Sequence, residues 1–146
     1  MDKVVTVDTP KSKAVVGFAE RRSYDLHGVG IEFGALEQGF GSIQLTVVDG
    51  ADFASAKRIL VTAVATAENT GMQWKDSGRD SVGTHWGHAP SLVEGVPAKI
   101  KLPGSGKWKA YALDEHGQHR SEVAIHDGTL KIGPSEKTLW YELDAE

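Results

Sequence analysis

A chain of 146 residues with 40% apolar and 25% charged side chains has the length and composition of one globular domain with a real core. Sixteen basic residues against 20 acidic ones leave a net charge of -4, which argues against a nucleic-acid or anionic-membrane surface. The absence of cysteine excludes disulfides and thiolate chemistry, and no window approaches the ~18 apolar residues of a membrane-spanning helix.

Met1-Asp2-Lys3-Val4 is not followed by a signal-peptide core. A cytoplasmic protein reads this way, and so does a domain cut from a secreted one. Val5 and Val7 alternate with Thr6 before Pro10, and residues 14–18 form a short apolar run. Val29, Ile31 and Phe33 alternate between Gly28 and Gly34. Ile43, Leu45 and Val47 alternate with Ser42, Gln44 and Thr46 up to the turn pair Asp49-Gly50. Each run predicts a strand with one face on a core. Residues 54–67 carry two signals. Leu60, Ala63, Val64 and Ala67 fit a helical stripe that Ser55 would cap. Ile59, Val61, Thr62, Val64 and Thr66 are β-branched and favour a strand. The expectation is a strand from Arg58, with residues 52–57 as a loop or short helical turn.

Further along, Val96, Ala98, Ile100 and Leu102 alternate before Pro103-Gly104-Ser105-Gly106, which reads as a turn. Residues 108–113 follow. Val123 and Ile125 lead to Asp127-Gly128, a strong hairpin signal, and then to Leu130 and Ile132. In the last segment Leu139, Tyr141 and Leu143 share one face, and Trp140 and Glu142 the other. Trp108 shares a face with Ala110 and Ala112; one of the faces carrying Trp108 and Trp140 is core, so one of these two aromatics is expected there. The prediction is an all-β chain, a jelly-roll-like β-sandwich of nine or ten short antiparallel strands, forming one domain over residues 1–146. Seventeen scattered glycines mark its turns.

Enzyme signatures are missing. There is no Gly-x-Ser-x-Gly elbow, dinucleotide fingerprint or P-loop, and nothing selects a catalytic pair from Glu20, Glu32, Glu37, Glu68 and Glu94. No enzyme activity is expected. His85-x-x-His88 and His116-x-x-His119 have spacings a metal accepts, the former with Asp76 or Asp80, but both fall in loops and read as surface histidines. No cofactor is expected; structural calcium is compatible with this fold class but has no location in the sequence.

The chemistry concentrates in the loop after residue 67. It carries two of the four tryptophans and two of the six histidines among polar residues. A sugar has an apolar ring face and a rim of hydroxyls. Indole stacks on the face, while carboxylate, amide or guanidinium pairs with the rim. Trp74 with Gln73, Asp76 and Arg79 has this composition, as does Trp86 with His85 and His88. The competing reading is that both indoles pin the loop onto the sandwich, with Met72 filling core space. Asn69-Thr70-Gly71 also reads as a tight turn.

The run from Arg58 through Glu68-Asn69-Thr70-Gly71-Met72-Gln73-Trp74 resembles segments near the C-terminus of large bacterial glycoside hydrolases. So does Trp86-Gly87-His88-Ala89-Pro90-Ser91-Leu92-Val93-Glu94-Gly95-Val96-Pro97. Residues 132–142 resemble the closing strand of the same accessory domain, and Asp8-Thr9-Pro10 with Val16-Gly17 its opening. The resemblance implies a non-catalytic β-sandwich cut from a larger extracellular or cell-surface enzyme. As a carbohydrate-binding module it would hold that enzyme at a polysaccharide through Trp74, Trp86, Gln73, Asp76, Arg79 and His88. Its partners would be a poly- or oligosaccharide and the catalytic domain of the same polypeptide, with no nucleic acid and no membrane. The alternative is a structural domain that packs against the catalytic domain and binds no sugar.

Overall fold

The alternating runs become strands because their apolar halves have one core to face. The computed structural model describes residues 3–104 and 107–146, so Ser105 and Gly106 of the expected 103–106 turn lie outside the described residues. In chain order the strands are β1 (Val4–Asp8), β2 (Ser12–Phe18), β3 (Ser23–Leu26), β4 (Val29–Phe33), β5 (Phe40–Val47), β6 (Arg58–Val64) and β7 (Ala67–Thr70). They continue as β8 (His88–Val93), β9 (Ala98–Lys101), β10 (Trp108–Leu113), β11 (His119–Val123), β12 (Ile125–His126), β13 (Thr129–Ile132) and β14 (Trp140–Ala145). A seven-stranded sheet has the order β1-β2-β5-β6-β14-β10-β11, and a five-stranded sheet the order β12-β13-β9-β4-β3. β7 and β8 form a separate two-stranded ribbon, and every pairing is antiparallel.

The fold is therefore all-β, with two sheets that share one buried core. Ile43, Leu45, Ile59, Val61, Tyr141 and Leu143 of the larger sheet meet Val29, Ile31, Phe33, Ile100 and Leu130 of the smaller. Burying each Val, Leu or Ile side chain there contributes ~1.5–3 kcal/mol. The described residues form fourteen strands, more than the nine or ten expected. Tyr24 and Asp25 pair across His27-Gly28 without any alternation of their own, and β7 and β8 are polar strands held by each other. The Val123–Ile125 run is split, because β11 pairs with β10 in one sheet while β12 pairs with β13 in the other.

The helical alternative for residues 54–67 is excluded by β6, whose Ile59, Val61 and Ala63 face the core. Ahead of it, Asp52 and Ser55 tie residues 51–55 into a turn, and Asp49 Oδ1 accepts from the backbone N–H of Lys57 and Arg58. The Asp127-Gly128 signal is realised: both residues have positive φ, at 49° and 69°, and His126 pairs with Thr129. Trp108 is the tryptophan packed against the core, with Ala110 and Ala112 buried on its face. Trp140 faces outward. Gly17, at φ +140°, pairs with Val4 at the start of β1; a Cβ there would lie 2.2 Å from the Lys3 carbonyl oxygen.

Candidate functional site

After β6 the chain leaves the sandwich. Residues 65–95 make the β7–β8 ribbon and its long connecting loop, in which Val82 alone is buried. With so little apolar burial, hydrogen bonds determine the shape of this lobe. Met72 N–H donates to the Asn69 carbonyl with Gly71 at φ +70°, the expected tight turn. Gln73 N–H reaches the His85 carbonyl, and Lys75 N–H the Ser81 carbonyl, which folds the loop back on itself. Gly87, at φ +71°, lets the returning chain lie against Thr70 and Met72; a Cβ there would be 2.5 Å from the Thr70 carbonyl oxygen.

The residues singled out in the sequence divide into two groups. Trp74 and Arg79 are brought together through Glu68. Glu68 Oε1 accepts from Trp74 Nε1 at 2.7 Å and from Gln38 Nε2 at 3.2 Å, and Arg79 Nη1 lies 3.8 Å away. This network fastens the loop to the turn before β5. The indole N–H of Trp74 is thus used within the protein, and its ring is half-buried. Asp76 shapes the loop locally, its carboxylate accepting from Gly78 N–H. His88 Nδ1 donates to the Ala89 carbonyl, and Gln73 is exposed. Trp86 stands apart from these groups at 64% exposure. Its carbonyl accepts from Asn69 Nδ2, while among the described residues its indole N–H has no protein partner. Met72 lines a surface cavity and does not fill the core.

That cavity, about 280 Å³, lies along the ribbon and is lined by Glu37, Glu68, Asn69, Met72, Leu92 and Glu94, among others. Glu94 Oε1 accepts from the Glu37 N–H at 2.8 Å, whereas Glu94 Oε2 is buried with no hydrogen-bond partner. Three carboxylates and an amide supply acceptors, and no basic side chain lines the wall. Such a wall calls for a ligand that donates hydrogen bonds. Asn69 lines the cavity, and its Nδ2 donates to the backbone carbonyl of Trp86.

Glu68 and Glu94 were not distinguishable from other acidic residues in the sequence. The signal for Glu68 is long-range: Gln38, Trp74 and Arg79 meet it only in the fold. A second outward surface lies on the seven-stranded sheet. On β14, Trp140, Glu142 and Asp144 alternate with buried Tyr141 and Leu143. His119 Nε2 lies 2.7 Å from Glu142 Oε1, and its ring stacks on Tyr111 at 4.0 Å and 8°. Donor atoms of His119, Glu142 and Asp144 lie within 4.8 Å of one another, the one such group among the described residues. Arg58 already pairs with both carboxylates, at 3.6 and 3.4 Å, and supplies the charge a cation would bring. Neither His85 nor His88 enters such a group, and His119 enters it without His116.

Comparison of the chain with protein-family models, curated protein sequences and solved structures returns no match.

Proposed function

We propose that this domain is a non-catalytic carbohydrate-binding module that holds an attached polysaccharide-degrading enzyme at its substrate. The observation that carries this reading is the acceptor-rich cavity along the ribbon, lined by Glu37, Glu68, Asn69 and Glu94, on the same lobe as the exposed Trp86. A neutral sugar supplies hydroxyl donors to that cavity and a C–H-rich face to an exposed indole. Trp86 is the stacking residue, and Glu94, Glu68 and Asn69 are the rim partners. Trp74, Asp76 and Arg79 shape the loop that presents them, with Gln73 and His88 at its surface. No metal or cofactor takes part in this reading. We read the parent protein as extracellular or bound to the cell surface, as the sequence resemblance to hydrolase accessory domains implies. We also read the sandwich as jelly-roll-like, because the chain passes between the two sheets from β2 to β3, β4 to β5, β9 to β10, β11 to β12 and β13 to β14.

One observation favours the structural alternative. Val5, Phe18, Phe40 and Val64 are exposed on the outer face of the seven-stranded sheet, an apolar area suited to an attached domain. Affinity electrophoresis in gels containing soluble β-glucan, xylan, mannan or pectin separates the readings. Retardation by one polymer is expected, reduced about tenfold in affinity by Trp86→Ala, the scale of an aromatic anchor, and also weakened by Glu94→Gln. No retardation by any polymer leaves the docking role.

A further inference from the structure

The four indoles fall into two classes. Trp74 and Trp108 are half-buried, and each donates its N–H to the protein, to Glu68 Oε1 at 2.7 Å and to the Pro103 carbonyl at 3.3 Å. Trp86 and Trp140 are the two exposed at the surface, at 64% and 39%, and among the described residues neither N–H has a protein partner. A tryptophan needed for packing satisfies its N–H when it is buried. Trp140 therefore has the same standing as Trp86, in a different part of the fold.

Its surroundings are those of a platform with a polar rim. Trp140 pairs with Thr62 of β6, and Thr62 with Gln44 of β5, so an indole, a hydroxyl and an amide form one row on the outer face. The strands carrying them lie roughly 4.8 Å apart. Beside the ring, a concavity of about 230 Å³ is lined by Leu60, Leu113, Asp114, Glu115, Gly117 and Trp140. It is small against the roughly 300–1,000 Å³ of pockets that enclose a whole drug-sized ligand, and suits one ring of a longer chain. Two nearby cations are paired, Arg58 with Glu142 and Asp144, and Lys109 with Glu146 at 3.2 Å, while Arg120 donates to the Lys137 carbonyl. Asp114 is held by backbone N–H groups of Gln118 and His116, which keep its carboxyl below the usual range. The lining itself carries the carboxylates of Asp114 and Glu115 and no basic side chain, which disfavours a carboxylated or sulfated polymer.

We propose that the outer face of the seven-stranded sheet around Trp140 is a second glycan-binding site, which takes a ring of an uncharged polysaccharide stacked on the indole. It rests on reading the domain as glycan-binding but does not use the ribbon cavity. Two sites on one domain raise the avidity for a polymer that can reach both.

The test is a titration of the ¹⁵N-labelled chain with cello-, xylo- and manno-oligosaccharides and with oligogalacturonate, following the four indole N–H resonances. Each Trp→Phe variant assigns one resonance. For one neutral series the Trp86 and Trp140 resonances both move, while those of Trp74 and Trp108 stay; oligogalacturonate moves none. Trp140→Ala weakens binding of the matching polymer about fivefold or more, and Trp140→Phe, which keeps a ring, loses less. A Trp86 resonance that moves alone, with Trp140→Ala and Trp140→Phe both binding as the parent, overturns the second site and leaves the module intact. If no indole resonance moves with any sugar, both readings fall together.

Discussion

Removing the Glu68 carboxylate should open the ribbon lobe and leave the sandwich closed. In Glu68→Ala the Trp74 indole loses its acceptor and Gln38 its partner, bonds of 2.7 and 3.2 Å in the parent. A hydrogen bond to a charged acceptor contributes ~1.5–3 kcal/mol. The Arg79 pair at 3.8 Å joins side chains 42% and 30% exposed and adds well under ~1 kcal/mol. The lobe has one buried apolar residue, Val82, to set against that loss. A local cost of ~2–3 kcal/mol corresponds to a roughly 30- to 150-fold rise in the open population. Hydrogen–deuterium exchange with peptide-level mass spectrometry reads it directly. Peptides spanning residues 66–93 should exchange faster by that factor, while β5 and β14 change little. Glu68→Gln, which keeps an acceptor oxygen, should fall between. Unchanged exchange in the lobe, or equal acceleration of lobe and core, would refute the role given to Glu68.

Other expectations concern the sandwich. Gly17→Ala puts a Cβ 2.2 Å from the Lys3 carbonyl at φ +140°, and should cost ~1–3 kcal/mol, seen as a lower midpoint in thermal unfolding. Ile59→Ala removes a side chain with no exposure and should cost ~2–5 kcal/mol in urea titrations, with the slope unchanged. Burial pushes the Tyr141 phenol from 10.0 up to about 12, so stability from this group is complete below pH 10 and declines as pH rises towards 12. Tyr141→Phe should remove that part of the alkaline decline in urea midpoints measured across this range. Backbone N–H bonds hold the carboxyls of Asp49 and Asp114 below 3.8; the stability they add is present above that pH and is lost as pH falls through their folded values. Asp114→Asn should therefore flatten part of the acid limb in the same assay.

Most of the sandwich was readable because burial writes a period of two into the chain. The runs at Val29 to Phe33 and Ile43 to Val47 point their apolar residues inward as alternation predicts, as do Tyr141 and Leu143, while Leu139 ahead of β14 is only half-buried. β3, β7 and β8 were not readable, since Ser23–Leu26, Ala67–Thr70 and His88–Val93 bury little and are held by their partners. The exit of residues 65–95 from the sandwich followed from that lack of burial and had no periodic signal. Trp140 could have been placed outside from the sequence: it shares its face with Glu142 and Asp144, while Tyr141 and Leu143 take the core. The convergence of Gln38, Trp74 and Arg79 on Glu68 could not, because 30 residues separate Gln38 from Glu68 and only pairing brings them together.

Glycan binding itself is tested most directly by isothermal titration calorimetry of the folded domain against soluble β-glucan, xylan, mannan and pectic polysaccharides. Saturable heat with one neutral polymer, weakened about tenfold by Trp86→Ala in a protein whose unfolding midpoint is unchanged, is the predicted result. An absence of heat with every polymer, at concentrations that would reveal millimolar affinity, would contradict it.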